Sequence, residues 1–524
     1  MDGIKEQQTW QIDFKYLQKR LPAAWQSVWS DPLRARTVVV VPSISLPPLE
    51  LAKVPGSVHY EERLLSFLTL LGMAKTHVIY VTALPIPDEV ISYYLQFLPG
   101  VTFSHARERL HIISLMDRSD RPLTQKILER PPVIERVKRE IVNPELSYME
   151  VYYNTDLEHE LAVKLGIPIW GATEDLHYWN TKTGTREIFS CLNIAHPKGQ
   201  GNVYTLKDVA QALLDIKNTI PELDRAVLKL NEGLSGIGNI VINLSDLPDN
   251  EDPSIVEDYL QNLPEDHFAD VPWSVFQNIL SDQGGVVEAF IQSEGRTSPT
   301  IQLFINPDGE IVIDSTHEQI LGGSSSIEYK GCTLPAKREY SKILHELGLR
   351  IGKKLISLGA LGPVSIDFLV LPESEFVHHE AIEGEIVKYN GCVICAIEIN
   401  MRRGGTTLPL HTTKFLTGGH YDPKKGIFCT PSGHEICYVS FSNIAPPEAK
   451  GLCPNDIIDI ITDAELHYNS ALCSGVIFHT IGALSQYGRL GATCVAPTQE
   501  KAWRLAEETR SILKAKSKDL SWIH

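Results

Sequence analysis

The chain opens with short apolar runs that alternate with amphipathic stretches. Residues 37–41 read TVVVV and residues 77–82 read HVIYVT, and both runs have the β-branched content of buried strands. Between them, apolar residues recur at helical spacing, namely Leu64, Leu65, Phe67, Leu68 and Leu71. The pattern therefore predicts a strand, a helix and a second strand, which is a βαβ beginning.

The same alternation continues further along the chain. Residues 110–114 and 150–153 predict two more short strands, and helical stretches begin near Asp88 and Pro122. Residues from about 30 to 175 are therefore expected to form a small α/β domain. No GxGxxG motif follows the first strand, so nothing in this region indicates a dinucleotide-binding fold.

The central region mixes helical and strand periodicities. Apolar spacing predicts a helix over 206–214, followed by strands at 226–230 and 286–291. Residues 247–270 are rich in Asp, Glu, Pro and Asn, so we expect a solvated, mobile insertion there. Further elements are predicted as strands at 300–305, 310–313 and 364–370, a turn at 306–309 and a long helix over 343–355. From residue 431 onward the pattern indicates a smaller α/β tail.

Three polar side chains spaced by twos are the most informative feature of the chain. Residues 393–401 have the β-branched content of a strand, and Glu398, Asn400 and Arg402 fall at alternate positions in and just after it. Side chains two residues apart on a strand share one face, about 7 Å apart. Two oxygen ligands of the kind that metals prefer and one cation are therefore expected to share one edge of a cleft.

Asp367 is the second acidic candidate. It interrupts the apolar run SIDFLV, with Ile366 and Phe368 expected on the opposite, buried face. Oxygen ligands in phase on two strands are what hard Mg²⁺ ions need. The alternative is that these residues are ordinary polar side chains on a half-exposed strand.

A glycine-rich loop follows a strand lysine. Lys229 precedes a loop that contains Gly233, Ser235, Gly236 and Gly238, and a second strand follows. Glycine lets backbone N–H groups approach phosphate oxygens, and lysine supplies a compact positive charge. The loop is not a P-loop, since GxxxxGK[ST] is absent and no helix follows. Its alternative is a glycine-rich hairpin with a surface lysine.

Length and charge narrow the choice of function. The 524 residues carry 48 Lys and Arg against 65 Asp and Glu, a net charge of −17, so nucleic acid is an unfavourable partner. No apolar run approaches the ~20 residues of a membrane span, and the chain start lacks a signal pattern. We therefore expect a soluble, cytoplasmic protein with no membrane or nucleic-acid partner.

Taken in order, these features resemble the ATP-grasp superfamily over residues 175–430. The resemblance is carried by Lys229 with its glycine loop, Glu288 in VVEAFI, Asp367, and the Glu398-x-Asn400-x-Arg402 run. The flanking sequence, including PGSVHYEERLLSFL and EINMRRGGTT, is most similar to that of the peptide ligases of pheganomycin biosynthesis and their relatives.

The resemblance implies an α/β protein whose ATP-binding part is α+β. It implies an N-terminal, Rossmann-like pre-ATP-grasp domain over 1–178 and an ATP-grasp domain over 179–430. A nucleotide-binding lid is expected at about 205–292, and a C-terminal α/β domain over 431–524.

The resemblance also implies nucleotide and metal roles. Lys229 would contact the ATP phosphates, and Glu288 would lie on the hinge strand, where the neighbouring backbone at Ala289 and Ile291 holds adenine. Lys182 lies where the superfamily often has an earlier phosphate-binding lysine, and its alternative is a solvated loop lysine.

Metal and acyl-transfer roles follow in the same way. The resemblance implies that Asp367, Glu398 and Asn400 bind two Mg²⁺ ions, with Mn²⁺ as a substitute. Arg402 would stabilise the acyl phosphate and the tetrahedral adduct.

Arg403, Gly404 and Gly405 follow at once. An additional arginine beside a flexible turn is suited to a substrate carboxylate, and a structural salt bridge is the equal alternative.

No general base is assigned. The candidates have neither metal spacing nor a neighbouring nucleophile, and we expect them to be structural or peripheral: His317, His411, His420 and His479. Forming an acyl phosphate needs positioned charges rather than a histidine.

The expected activity is that of an ATP-dependent carboxylate–amine ligase. A carboxylate would attack the γ-phosphorus of ATP, and an amine would capture the acyl phosphate, giving an amide, ADP and phosphate. The expected partners are small-molecule carboxylates and amines such as amino acids or peptides, and a homo-oligomer is left open. The alternatives are a catalytically silent ATP-binding regulatory protein, a kinase acting on an alcohol, and a ligase that loads an amino acid onto a carrier protein.

Overall fold

The protein has three sheets of four or more strands, arranged along the chain in a computed structural model. Residues described are 11–46, 56–171, 174–232, 238–248, 252–263, 272–322, 328–376 and 379–520. Three residues of the predicted phosphate loop, Gly233, Ser235 and Gly236, lie outside these ranges.

The first sheet is parallel and N-terminal. Its strands are β1 (Arg36–Val41), β2 (Thr76–Thr82), β3 (Leu110–Ser114) and β4 (Tyr148–Val151). They lie in the order β3-β2-β1-β4, with Val38 paired to Val78 on one side and Tyr148 on the other. All six residues of β1 are buried, as expected of a strand in a parallel sheet that is covered on both faces.

Helices cover both faces of this sheet. They are α1 (Leu21–Ser30), α2 (Asp88–Leu95), α3 (Phe103–Glu108), α4 (Leu123–Leu128), α5 (Pro131–Glu140) and α6 (Asp156–Leu165). The helix predicted around 64–71 is a 3₁₀ segment, Ser57–Gly72, and its apolar residues pack under β1 and β2. The predicted βαβ beginning is confirmed.

The second sheet is small and antiparallel. After α7 (Lys182–Cys191) and the short strand β5 (His196–Pro197) come β6 (Gly199–Val203), α8 (Leu206–Thr219), β7 (Arg225–Leu230), β8 (Asn239–Asn243), α9 (Pro253–Gln261), α10 (Trp273–Gln283) and β9 (Gly285–Ala289). The strand order is β6-β9-β7-β8, and the three helices bury their apolar faces in one cluster.

The prediction of a solvated insertion over 247–270 is wrong for its middle. Residues 253–261 form α9, in which Val256 and Leu260 are completely buried. The Trp273 indole donates a hydrogen bond to the carbonyl of Leu260, 2.8 Å away. Within 253–261, the polar residues Ser254, Asp258 and Gln261 therefore form the solvated face of an amphipathic helix.

The third sheet has eleven strands in the described part of the chain, and neighbouring strands are paired antiparallel. Its first part comprises β10 (Pro299–Ile305), β11 (Ile311–Gly322), β12 (Glu328–Leu334), β13 (Gly362–Pro372), β15 (Val387–Tyr389) and β16 (Cys392–Asn400), with β14 (Ile382–Glu383) paired to β5. The long helix α11 (Arg338–Ser357) packs across β10 and β11.

The same sheet continues into the C-terminal region. That region contains α12 (Thr407–Thr417), β17 (His420–Asp422), β18 (Ile427–Cys429), β19 (Glu435–Phe441), α13 (Pro454–Asp463), β20 (Gly475–His479), α14 (Ala483–Tyr487), β21 (Gly491–Ala496) and α15 (Gln499–Leu520). The order is β15-β16-β13-β10-β11-β12-β19-β18-β17, and β21 pairs with both β19 and β20. The predicted domain boundary near residue 430 therefore falls within one continuous sheet, and the boundaries stay a prediction.

Short 3₁₀ turns join several of these elements: Pro144–Leu146, Glu174–Leu176, Tyr178–Asn180, Leu244–Asp246, Glu373–Glu375, His379–Ala381 and Pro447–Ala449. Over the described ranges, we find no helix with the length and apolar character needed to span a bilayer.

Candidate active site

Two acidic side chains face each other on neighbouring strands of the large sheet. Asp367 on β13 pairs directly with Glu398 on β16, and Ser365 pairs with Asn400. A register shift between Asp367 and Phe368 places the extra residue of a β-bulge in β16 just before Glu398. The predicted alternation therefore holds, with Glu398 and Asn400 in phase on one face.

The charges of this acidic pair are strongly perturbed. Burial, together with the charge of Glu398, raises the pKa of Asp367 to about 7. Burial also tends to raise the pKa of Glu398, but the charges of Lys182, Arg402 and Lys229 outweigh it, so that pKa lies below its ordinary value. Glu398 is therefore the carboxylate that stays ionised, and three cations surround it.

Lys182 contacts this pair directly. It is the first residue of α7, and its Nζ lies 3.2 Å from Glu398 Oε1 with only 11% of the side chain exposed. The side chain of Thr181 caps the helix by accepting a hydrogen bond from the Gly184 N–H. The alternative of a solvated loop lysine is therefore wrong, because the residue is helical and partly buried beside an acid.

Lys229 lies in a buried cluster of charges. Its Nζ is 2.6 Å from Glu288 Oε2, and Arg186 Nη1 is 2.9 Å from Glu288 Oε1. Burial tends to raise the pKa of Glu288, but Lys229 and Arg186 lower it to about 2. Lys229 is therefore not a freely solvated surface lysine, since Glu288 fixes the position of its ammonium group beside Glu398.

Arg186 is a site residue that sequence reasoning missed. It lies four residues after Lys182 on α7, so both side chains project from the same face of the helix. The four-residue spacing from Lys182 was the feature of the sequence that could have identified Arg186. Its partner Glu288 is 102 residues away in the chain, and no local pattern links the two.

The hairpin of the predicted phosphate loop is present. β7 and β8 pair antiparallel, with Lys229 opposite Asn239. Gly238 has φ +86°, a left-handed conformation that favours glycine, and its carbonyl accepts a hydrogen bond from the Leu230 N–H at 3.0 Å.

The predicted hinge follows β9. Ala289 is the last residue of that strand, and its N–H donates to the Lys198 carbonyl at 2.8 Å. The Ile291 carbonyl accepts a hydrogen bond from Arg296 Nη1 at 3.2 Å. The adenine-binding role of this backbone stays a prediction.

Arg402 lies just beyond β16, at the edge of the acidic pair. Its guanidinium lies 5.4 Å from the centre of the Tyr153 ring, a cation–π contact. The preceding Met401 N–H donates to Asn180 Oδ1 at 2.7 Å, which fixes the backbone at this position. Asp367 and Glu398 both act on Arg402 electrostatically, so the predicted cation and the two acids do share one site.

The side chain of Arg403 contacts the N-terminal sheet instead of the acidic pair. Its Nη2 lies 2.5 Å from Glu150 Oε2 in an ion pair whose two side chains are both buried, and its guanidinium covers the ring of Phe67. Of the two alternatives for this residue, the structure shows the structural salt bridge. Gly404 and Gly405 follow, and a Cβ on Gly405 would come within 2.6 Å of the Tyr329 ring.

The histidines match the expectation of structural or peripheral positions. Burial lowers the pKa of His317, of His411 and of His479 to about 3 in each case. His317 Nε2 lies 2.7 Å from the Tyr438 hydroxyl, deep in the large sheet. The exposed His420 lies at a sheet edge, near Cys429.

The acidic pair fits a divalent cation. Burial and, after it, the charge of Glu398 raise the pKa of Asp367, and a cation between the two facing carboxylates would offset both effects. Among the described residues, no group of three or more His, Cys, Asp and Glu side chains converges on one point. Mg²⁺ commonly takes only one or two carboxylates and completes its shell with substrate phosphates and water, so Asp367, Glu398 and Asn400 suit it.

Comparison with known proteins places this arrangement in a class. Residues 247–387 match the family described as IQCH-like, ATP-grasp, and residues 456–509 match the PGM1 C-terminal domain. The fold is similar to the biotin carboxylase of Campylobacter jejuni in its β,γ-ATP complex, with TM-score 0.54 and 11% identity, covering 93% of this chain and 96% of that one. Residues 247–387 are therefore similar to an ATP-grasp family, and the chain has the predicted ATP-grasp fold, with a Rossmann-like parallel sheet at its N-terminal side.

Two curated relatives extend over most of the chain. L-propargylglycine–L-glutamate ligase of Streptantibioticus cattleyicolor is 24% identical over 471 residues, which cover 88% of this chain and 91% of that protein. IQ motif-containing protein H of Danio rerio is 23% identical over 442 residues, which cover 75% of this chain but only 41% of that longer protein. Similarity to a ligase over nearly its whole length supports a ligase-type function that uses ATP.

Proposed function

We propose that the protein is an ATP-dependent carboxylate–amine ligase that forms an amide or peptide bond through an acyl phosphate. The observation that carries the proposal is the direct pairing of Asp367 with Glu398, with Lys182 3.2 Å from Glu398 and Arg402 at the same edge. Phosphoryl transfer depends mainly on positioned charge, and this site concentrates opposite charges in a partly buried place.

Different residues would act on ATP, on the metal ion and on the reacting carboxyl group. Lys182 and Lys229 would hold the phosphates of ATP, and Asp367, Glu398 and Asn400 would hold Mg²⁺. The metal held by these residues would supply positive charge that neutralises the transferring phosphoryl group. Arg402 would stabilise the oxyanion when the amine attacks the activated carboxyl group.

Arg186 and Glu288 would act by positioning. Glu288 holds Lys229 at 2.6 Å, and Arg186 holds Glu288 at 2.9 Å. A lysine that is already fixed in place loses little side-chain freedom when a phosphate binds.

The substrate class is suggested by the relatives. The name of the ligase from S. cattleyicolor states that L-propargylglycine and L-glutamate are its substrates. We propose by similarity that this protein also joins amino acids or short peptides, within the class of acid–amino-acid ligases and in the manner of the pheganomycin-type peptide ligases that the sequence resembles.

The test is a mass-spectrometric screen for ATP-dependent condensation products. Pools of carboxylic acids and amines are incubated with ATP and Mg²⁺, and phosphate release is followed in parallel. We expect a product whose mass is the sum of an acid and an amine minus one water. Phosphate transferred to an alcohol would indicate a kinase instead, and neither product nor phosphate release would favour a silent ATP-binding protein.

Glu398→Gln is the variant that tests the metal role. The change removes one charge at nearly constant volume, so we expect the fold to persist and condensation to fall by at least about a hundredfold. Glu373→Gln is the matched control, because Glu373 lies in the turn after β13, where its side chain forms an exposed ion pair with Lys388. Full amide formation by Glu398→Gln would refute the role of this residue.

A further inference from the structure

A second cleft lies on the far side of the loop that carries Arg402. It is bounded by the 3₁₀ segment Ser57–Gly72, by the Arg403–Gly405 turn and by the C-terminal strands β19 and β20. The space between its walls is about 850 Å³, a figure that includes volume open to solvent. The cleft starts at Arg403, one residue beyond the candidate oxyanion-binding arginine.

The cleft is lined by positive side chains. Arg63, Arg403 and Arg489 line it, and its lining contains no Asp or Glu. Arg403 is paired with Glu150, so Arg63 and Arg489 supply the excess positive charge. The chain as a whole carries a net charge of −17. Within the described residues, neither Arg63 nor Arg489 forms an ion pair, although both are half-buried.

The two unpaired arginines meet at one tyrosine. Arg489 Nη1 donates to the Tyr60 hydroxyl at 2.7 Å, and the Arg63 guanidinium lies 3.9 Å from the centre of the same ring. Arg63 Nη1 also donates to the Tyr152 hydroxyl at 3.2 Å. Neutral hydroxyl groups do not compensate two guanidinium charges held this close together, and an anion between them would.

Polar atoms of the cleft wall also lack partners. Across the described part of the chain, no group hydrogen-bonds to Arg403 Nε or to His479 Nδ1, although more than nine-tenths of each residue is buried. Both atoms are themselves shielded from solvent, so they leave unsatisfied polarity behind the cleft wall but offer no contact to a ligand inside it.

We infer that this cleft binds a substrate through a carboxylate that does not react, held by Arg63 and Arg489. The inference rests on the proposed ligase function and adds the substrate class. The carboxylate belongs either to the amine substrate, which is then an amino acid or peptide with a free C-terminus, or to a second acidic group of the carboxylate substrate. Tyr60, Phe67 and Tyr329 give the rest of the cleft an apolar wall that suits an organic body.

The test compares substrates that differ only in this charge. On the amine side, the twenty common L-amino acids are offered as free acids and as carboxamides. On the acid side, N-acetyl-L-glutamate is compared with N-acetyl-L-glutamine. The enzymes are the wild type, Arg63→Gln, Arg489→Gln, Arg489→Lys and the control Arg504→Gln, and product mass is read together with KM for each substrate and for ATP.

We expect the wild type to prefer the charged member on one of the two sides by about tenfold or more in kcat/KM. Arg63→Gln and Arg489→Gln should raise KM for that substrate by about 10- to 100-fold and leave KM for ATP unchanged. Arg489→Lys should keep part of the preference. Arg504 is exposed on α15 and does not line the cleft, so Arg504→Gln should match the wild type.

Two results would overturn the inference. One is equal use of charged and uncharged substrates while condensation proceeds, and the other is retention of the preference by both glutamine variants. If no acid and amine condense, the proposed function fails. Thermal shifts with the same compounds then test whether the cleft binds a carboxylate. Stabilisation of the wild type by the acids alone, lost in Arg489→Gln, would support it, and equal shifts would contradict it.

Discussion

At the scale of single residues, the site is held in place by charge compensation. Glu288 is buried with only 4% of its side chain exposed, and it is ionised because Lys229 and Arg186 both contact it. A buried ion pair adds little net stability, but the loss of one member leaves an uncompensated charge. Glu288 is therefore the residue of this cluster whose loss affects both cations at once.

Glu288→Gln should destabilise the protein by about 3–5 kcal/mol, because two buried cations lose their common anion. The measurement is the urea midpoint, together with KM for ATP, which should rise as Lys229 becomes less well positioned. Glu435→Gln is the control. It removes the acid from an exposed ion pair with Arg338, and such pairs contribute at most about 1 kcal/mol. Equal midpoints for the two variants would contradict the assigned role of Glu288.

At the scale of elements, strand pairing and helix packing decide where the chemistry lies. The bulge beside Asp367 brings that residue opposite Glu398, which a regular ladder continued from Phe368 and Ala396 would not do. In the small sheet, α9 matters for a different reason, because it covers the helices that support the strand of Lys229. Its two inward residues, Val256 and Leu260, share a cluster with α8 and α10.

Leu260→Ala should weaken this small sheet by about 2–5 kcal/mol, the usual cost of a large buried side chain replaced by alanine. The measurement is amide hydrogen exchange in α8 and β7, which should become faster while exchange in the N-terminal sheet stays unchanged. Ile255→Ala on the same helix is the control, because Ile255 is 39% exposed and should change exchange little. Unchanged exchange in Leu260→Ala would mean that α9 does not support this sheet.

At the scale of the whole molecule, the parts are tied together by buried polar contacts. Arg403, next to the candidate oxyanion-binding residue, is paired with Glu150 of the N-terminal sheet. In the large sheet, His317 joins β11 to Tyr438 of β19 across the predicted domain boundary. The loop that carries Arg402 and Arg403 and the C-terminal strands are therefore anchored to the neighbouring regions rather than independent of them.

The stability of the molecule should fall in acid partly through His317. Burial lowers the pKa of this side chain to about 3 from the ordinary 6.5. Between these values the unfolded chain binds a proton that the folded chain does not, so stability falls as pH drops from 6.5 towards 3. The largest slope from one such group is about 1.4 kcal/mol per pH unit.

His317→Gln should flatten this part of the curve, since glutamine has no charge to gain. The urea midpoint is measured at a series of pH values from 7 down to 4 for His317→Gln and for the wild type. The control is His420→Gln, which changes an exposed histidine. A slope in His317→Gln that is as steep as in the wild type would exclude the contribution of His317.

Much of the architecture follows from local pattern. The strands near 37–41, 110–114 and 364–370 lie within one or two residues of their predicted positions, because apolar periodicity is a property of the chain itself. The prediction for 247–270 was wrong over 253–261, because the polar residues there lie on one face of α9 and composition alone does not separate a solvated loop from an amphipathic helix.

The sequence by itself determined that Glu398 and Asn400 share a face, since side-chain alternation depends only on the strand. It did not determine which charges would meet them. The register between β13 and β16, the approach of Lys182 to Glu398 and the pairing of Arg403 with Glu150 are contacts between residues far apart in the chain. Only the tertiary structure decided these contacts, because long-range electrostatics and burial depend on how separate elements pack rather than on any local spacing.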